Sequence, residues 1–151
     1  MCSFVFVCNT VRRKKFTVSN LEYPHLGKKQ ISYINNIDCL WVHGKSNTPL
    51  FAFEVEHSTE IDSAFERFIS LLKADSDIGQ QRRLILVISK KNRRKFDTKI
   101  KQSSYIGSPH YLNNKIRYIF EETLRTNWFQ LHREKDFTKF EGLLSNPELG
   151  G

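Results

Sequence analysis

Hydrophobic and polar positions alternate between two periods along this chain, and the switch between them sets the first expectations. Ser3–Asn9 is a short run of Phe and Val and predicts a strand, with Lys14–Ser19 as a second strand after a basic turn at Arg12–Arg13. Leu21–Asn36 is polar and irregular, with Pro24 and Gly27 as breakers, and predicts a loop. Ile37–His43 is branched and apolar and predicts a strand. Gly44–Pro49 is rich in turn residues, and Leu50–Glu56 is apolar except for its two acids, as a buried strand would be.

Ile61, Ala64, Phe65, Phe68, Ile69 and Leu72 then recur at helical spacing. Ser58 or Thr59 is placed to cap this helix, and Asp75–Gln81 to end it. LILVIS at Leu84–Ser89 predicts a buried strand, Asn92–Ser104 a strongly basic helix, and Ile106–Asn114 a loop. Lys115–Phe120 reads as a strand, Glu121–His132 as a helix resumed weakly at Phe137–Leu144, and Ser145–Gly151 as a flexible tail. Strands alternating with helices imply an α/β fold, with a sheet covered on both faces. A hairpin about Gly44 would make that sheet mixed. Residues 1–144 fit one domain.

The 24 Lys and Arg exceed the 16 Asp and Glu, for a net charge of +8. That excess favours a polyanionic partner, of which nucleic acid is the commonest, although many basic proteins are merely soluble. No apolar run approaches the ~20 residues that span a bilayer, and Phe4–Cys8 is too short for a signal peptide's apolar region. A cytoplasmic location is the default expectation, with no membrane partner. Cys2, Cys8 and Cys39 form no Cys-x-x-Cys pair, and their odd count argues for small, buried, reduced thiols. No Gly-rich phosphate loop or Gly-x-Ser-x-Gly elbow occurs, so bound nucleotide and serine-hydrolase chemistry are not indicated.

Candidate chemistry concentrates between Ile37 and Thr59. Glu54 and Glu56, two apart on a strand, project from the same face. If Val42 pairs with Leu50, Asp38 lies opposite Glu54, within about 4.5–5.5 Å between Cβ atoms. A slip of one residue turns Asp38 away. Three carboxylates suit a hard ion such as Mg2+, which keeps water molecules that can act as nucleophiles. The plainer alternative puts Glu54 and Glu56 on the wet face of an edge strand. Lys90, Lys91, Arg93, Arg94 and Lys95 begin a dense basic cluster at the end of LILVIS, placed to meet phosphate or simply to form a solvated helix face. Arg12, Arg13, Lys14 and Lys15 form a second basic patch. His57 points away from the acids if the strand continues, and an ordinary hydrogen-bonding role is expected of it. Trp41, Phe51, Phe53, Trp128 and Phe129 are expected in the core or at an interface, rather than stacked on bases.

IDCLWV followed by FAFEVEHSTEI resembles the PD-(D/E)XK nuclease superfamily, the restriction-endonuclease-like fold, and within it a group whose strand reads FEVEHS or FEVEHT. The helix carrying Arg67, then LILVIS, KKNRRKF and KIRYIF, follow in the expected order, so the resemblance runs from about Val5 to Leu124. It implies a mixed central sheet flanked by helices and an Mg2+-dependent (or Mn2+-dependent) endonuclease acting on DNA in restriction or a related defence system. Asp38 and Glu54 would take the metal-binding positions. Glu56 falls where the family usually has Lys, and would act as a further ligand or as the base. Such enzymes often work as homodimers. The family's core normally opens with a helix before the first strand, and the sequence predicts none ahead of Phe4–Cys8. A truncated gene product, a fragment, or a domain completed by a partner is therefore in view, as is a non-catalytic nucleic-acid-binding module. A protein-interaction scaffold is the third reading.

Overall fold

A computed structural model describes residues 4–8, 27–43, 48–57, 61–102, 112, 114–134 and 137–147. The expected strand at Lys14–Ser19, the basic patch at 12–15, the cap at Ser58 or Thr59, and most of the 44–49 and 106–114 loops lie outside these residues.

Five strands form one sheet in the order β1-β2-β3-β4-β5. They are β1 (Phe4–Cys8), β2 (Cys39–His43), β3 (Pro49–Glu56), β4 (Leu84–Ile88) and β5 (Ile116–Phe120). β1, β2 and β3 pair antiparallel, whereas β3–β4 and β4–β5 pair parallel. The helices are α1 (Lys28–Asn35), α2 (Ile61–Ala74), α3 (Asp77–Gln80), α4 (Arg93–Ile100), α5 (Glu121–Glu134) and α6 (Phe137–Gly142). This is the expected α/β architecture, a mixed sheet with helices on both faces.

The two faces carry different cores. On one, Leu40, Val42, Ala52, Leu84, Leu86, Ile88, Ile116 and Tyr118 meet α1, α2 and α4 through residues such as Ile34, Phe65, Phe68 and Phe96. On the other, Phe51, Phe53, Ile85, Val87 and Ile119 meet Phe140 of α6, with Trp41 and Leu124 packed against them. Trp41 lies 4.7 Å from Phe53 and 5.4 Å from both Phe51 and Phe140, between ring centroids. Trp41, Phe51 and Phe53 are therefore core residues, as expected. The side chains of Trp128 and Phe129 lie outside the described set. β4 is buried along its whole length because both of its faces are covered.

Three expectations change. The polar stretch before Asp38 contains a helix, α1, which packs on α2. Gly27 is the N-cap of this helix, a start signal where a breaker was expected. The first residues of the expected tail are also engaged. Ser145 exchanges two backbone hydrogen bonds with Tyr118, at 2.8 and 2.9 Å, and Pro147 is buried. Finally, Cys39 is disulfide-bonded, not a reduced thiol. One disulfide is compatible with an odd count of three cysteines. Among the described residues no helix is long and apolar enough to cross a membrane.

Candidate active site

Alternation along β3 sends Ala52, Glu54 and Glu56 to the face covered by α2. The β2–β3 ladder pairs Cys39 with Phe53, Leu40 with Ala52 and Trp41 with Phe51, so the next position opposite Glu54 is Asp38. That is the register the site needs. The one departure is an irregularity between Trp41 and Val42, which pairs Val42 with Pro49 instead of Leu50. It lies at the far end of the hairpin and leaves the acids in step.

Asp38, half-buried, accepts a hydrogen bond from the Val55 N–H on Oδ2 at 2.8 Å, which fixes its carboxylate against β3. Glu54 is fully buried. Its Oε2 stands 2.8 Å from Arg67 Nη2, yet neither of its oxygens has a hydrogen bond of good geometry. Burial, then the nearby charge of Asp38, push its carboxyl up to about 9, against the opposing pull of Arg67. Glu56 is also buried, with Oε1 at 3.8 Å from the same Arg67 nitrogen.

The three acids thus converge, with a guanidinium between two of them. Among the described residues no group of three or more His, Cys, Asp or Glu side chains is already arranged to hold a metal ion. The donor set nevertheless suits a hard cation. Glu54 offers two buried, unsatisfied carboxylate oxygens, and Asp38 and Glu56 flank it. Binding would require the side chains to rotate together and Arg67 to yield its place.

Arg67 is the residue that sequence reasoning left without a role. It stands on α2 three residues after buried Ala64 and four before buried Leu71, on the edge of the core-facing stripe. A cation at that position, on the helix following two buried acids, was the available signal.

Parallel pairing sets Ile88 of β4 beside Glu56. The 3-10 turn Lys90–Asn92 and the start of α4 therefore lie at the carboxylate end of the sheet, where Asn92 Nδ2 comes 3.5 Å from the His57 carbonyl. The basic cluster divides. Lys90, Lys91 and Arg94 are exposed and Lys95 is half-buried. Arg93 is tied to Asp97 at 3.4 Å and lies over the Tyr118 ring, while Lys99 is paired with Asp62 at 2.8 Å. His57 is exposed, with Nδ1 3.5 Å from Glu121 Oε2, an ordinary polar contact.

No curated protein and no solved structure matches the chain. A family profile described as the type II restriction enzyme NmeDI C-terminal domain matches residues 9–140, most of the 151. Its span takes in the Asp38 hairpin, α2 and the basic turn, and by that match the chain belongs to the NmeDI C-terminal domain family of type II restriction enzymes.

Proposed function

We propose that this domain is a PD-(D/E)XK-type endonuclease that hydrolyses DNA phosphodiester bonds, in restriction or a related defence role, with Mg2+ or Mn2+ as cofactor. The observation that carries this reading is the register placing Asp38 beside Glu54, on the buried face that also holds Glu56. Asp38 and Glu54 would hold the ion, and Glu56 would complete its shell or accept a proton from the attacking water. Bound there, the metal would polarise the phosphate and lower the pKa of a water molecule. Lys90, Lys91 and Arg94, exposed at the same end of the sheet, would receive the phosphate backbone, together with Arg93 and Lys95. Such contacts bring affinity and orientation rather than sequence preference.

A plasmid-nicking assay with Mg2+ or Mn2+ and an EDTA control, run beside Glu54→Ala, tests this. The expected result is metal-dependent nicking by the parent protein and none by the variant. Intact plasmid in every lane, from folded protein, would move the assignment to a second reading, a non-catalytic DNA-binding module. That reading draws on Arg67, whose guanidinium already occupies the space beside Glu54 and Glu56.

The basic turn gives a separate expectation. Replacing Lys90, Lys91 and Arg94 together by Ala lowers the slope of log K against log salt by about 0.9 per lost phosphate contact, and therefore by roughly 2–3. Fluorescence anisotropy with a labelled duplex in EDTA measures it. An unchanged slope would assign these residues to a solvated face.

A further inference from the structure

A second charged cluster lies at the other end of the sheet. Arg82 and Arg83 lead into β4, and Arg117 is the second residue of β5, beside Ile85. Alternation puts Arg83 and Arg117 on the face of Ile85 and Ile119, away from Glu54 and Glu56. Arg117 is mostly buried, with its side chain 14 % exposed, and Arg83 is 28 % exposed.

Most of the acceptors around these guanidinium groups are neutral. Arg117 Nε donates to the Arg82 carbonyl at 2.6 Å, Arg82 Nη2 to Asn146 Oδ1 at 2.7 Å, and Arg83 Nη1 to Gln81 Oε1. The Arg83 guanidinium also lies 5.0 Å from the centre of the Phe51 ring. Among the described residues one carboxylate forms ion pairs with them, Glu141 of α6. Its Oε1 stands 3.5 Å from Arg83 Nε and 3.7 Å from Arg117 Nη2, longer than the N–H···O bonds of about 2.7–3.2 Å.

Arg82 Nε, Arg83 Nε and Arg117 Nη2 are all shielded from solvent without a hydrogen-bond partner. Arg82 also adopts a left-handed backbone, with φ 56°, which disfavours a residue carrying a side chain. Burial, and the fields of Arg82 and Arg83, weaken the hold of Arg117 on its proton, against the pull of Glu141. Two of these cations share one loosely held anion and the third, Arg82, is held by a neutral amide, beside an apolar core, which leaves charge uncompensated where water screens it poorly.

We propose that Arg82, Arg83 and Arg117 form a phosphate-binding site, in which the Glu141 carboxylate is a resident stand-in that a phosphate group displaces. A phosphate offers several anionic oxygens to guanidinium forks, whereas Glu141 presents one shared oxygen to two of them. The phosphate can come from a nucleic-acid backbone or from a free phosphate. The site stands apart from the carboxylates in position and chemistry, and nuclease activity bears on neither its success nor its failure.

The test uses the full chain and inorganic phosphate at constant ionic strength, read by thermal shift and by NMR of the arginine Nε–H signals. Glu141→Gln should bind phosphate about tenfold more tightly, because the competing charge is gone, and Arg83→Gln about tenfold more weakly. Lys139→Gln, on the same helix, lowers the net charge by one as Arg83→Gln does, and should leave phosphate binding unchanged. A short duplex in EDTA then separates the sources. If Arg83→Gln lowers the salt slope of DNA binding by about 0.9, the site holds a backbone phosphate. If the slope stays while phosphate binding falls, the site holds a free phosphate. Glu141→Gln with no gain in phosphate affinity, or a folded Arg83→Gln that binds phosphate like the parent, would overturn the proposal and leave the arginines as a clamp for α6. Should Arg83→Gln fail to fold, Glu141→Gln decides alone.

Discussion

Glu54→Gln should abolish metal-dependent cleavage, by about a thousandfold or more, and at the same time make the metal-free protein more stable at alkaline pH. The first effect follows from removing the buried carboxylate expected to hold the ion, since transition-state stabilisation worth several kcal/mol is lost at about 1.4 kcal/mol per factor of ten. The second follows from the carboxyl itself. Its folded-state pKa is raised from 4.5 to about 9, chiefly by burial. The folded protein therefore holds this proton more tightly than the unfolded chain does. The stability that the proton confers is fully present below about pH 4.5 and is lost as the pH rises through about 9, with a slope of up to about 1.4 kcal/mol per unit.

Glutamine cannot ionise, so the variant escapes that loss. Urea denaturation at pH 5, 7 and 9 in EDTA should give curves that diverge, with the variant ahead at pH 9. Divalent metal should recover stability at high pH in the parent and not in the variant. Parallel curves in EDTA would mean that Glu54 ionises normally in its buried setting.

The carboxylate constellation was legible in the sequence because strand periodicity is strict. Side chains two apart must share a face, and a hairpin whose arms are both apolar has few registers that keep both arms buried. The Cys39–Phe53 pairing is the expected one, and only the far end slips, at Val42 and Pro49. LILVIS was legible for a related reason, since a continuous apolar run with parallel neighbours has to be covered on both faces.

Other features were hidden because their determinants are tertiary. α1 has a single fully buried residue, Ile34, and its stability comes from packing on α2, not from a periodic apolar stripe. The division of the basic cluster depends on Asp97 and Asp62, which lie on different helices, so a count of charges could not separate committed from exposed lysines and arginines. The convergence of Arg82, Arg83 and Arg117 required knowing that β4 and β5 are adjacent.

Arg67→Ala should separate the metal-free and metal-bound requirements of the carboxylate site. Arg67 is 20 % exposed and places one nitrogen 2.8 Å from Glu54 and 3.8 Å from Glu56. Breaking a buried pair by removing one partner costs about 3–5 kcal/mol when the other charge stays ionised. Here Glu54 can take a proton instead, because its pKa is already raised and loses a lowering influence when Arg67 goes. The penalty at pH 6 should therefore be small, about 1–2 kcal/mol for the lost polar contacts, and should grow towards pH 9, where the parent ionises Glu54 beside its guanidinium and the variant cannot. A divalent ion reverses the comparison. With no guanidinium to displace, the variant should gain more thermal stability from Mn2+ than the parent does, while Arg67→Lys, which keeps the charge without the fork, should fall between them. Urea titrations at pH 6 and pH 9, and melting curves with and without Mn2+, provide both readings. A penalty equal at the two pH values, together with an unchanged response to Mn2+, would reduce Arg67 to ordinary helix packing. A pH-dependent penalty with a larger Mn2+ response would establish that the arginine and the metal compete for the same two carboxylates.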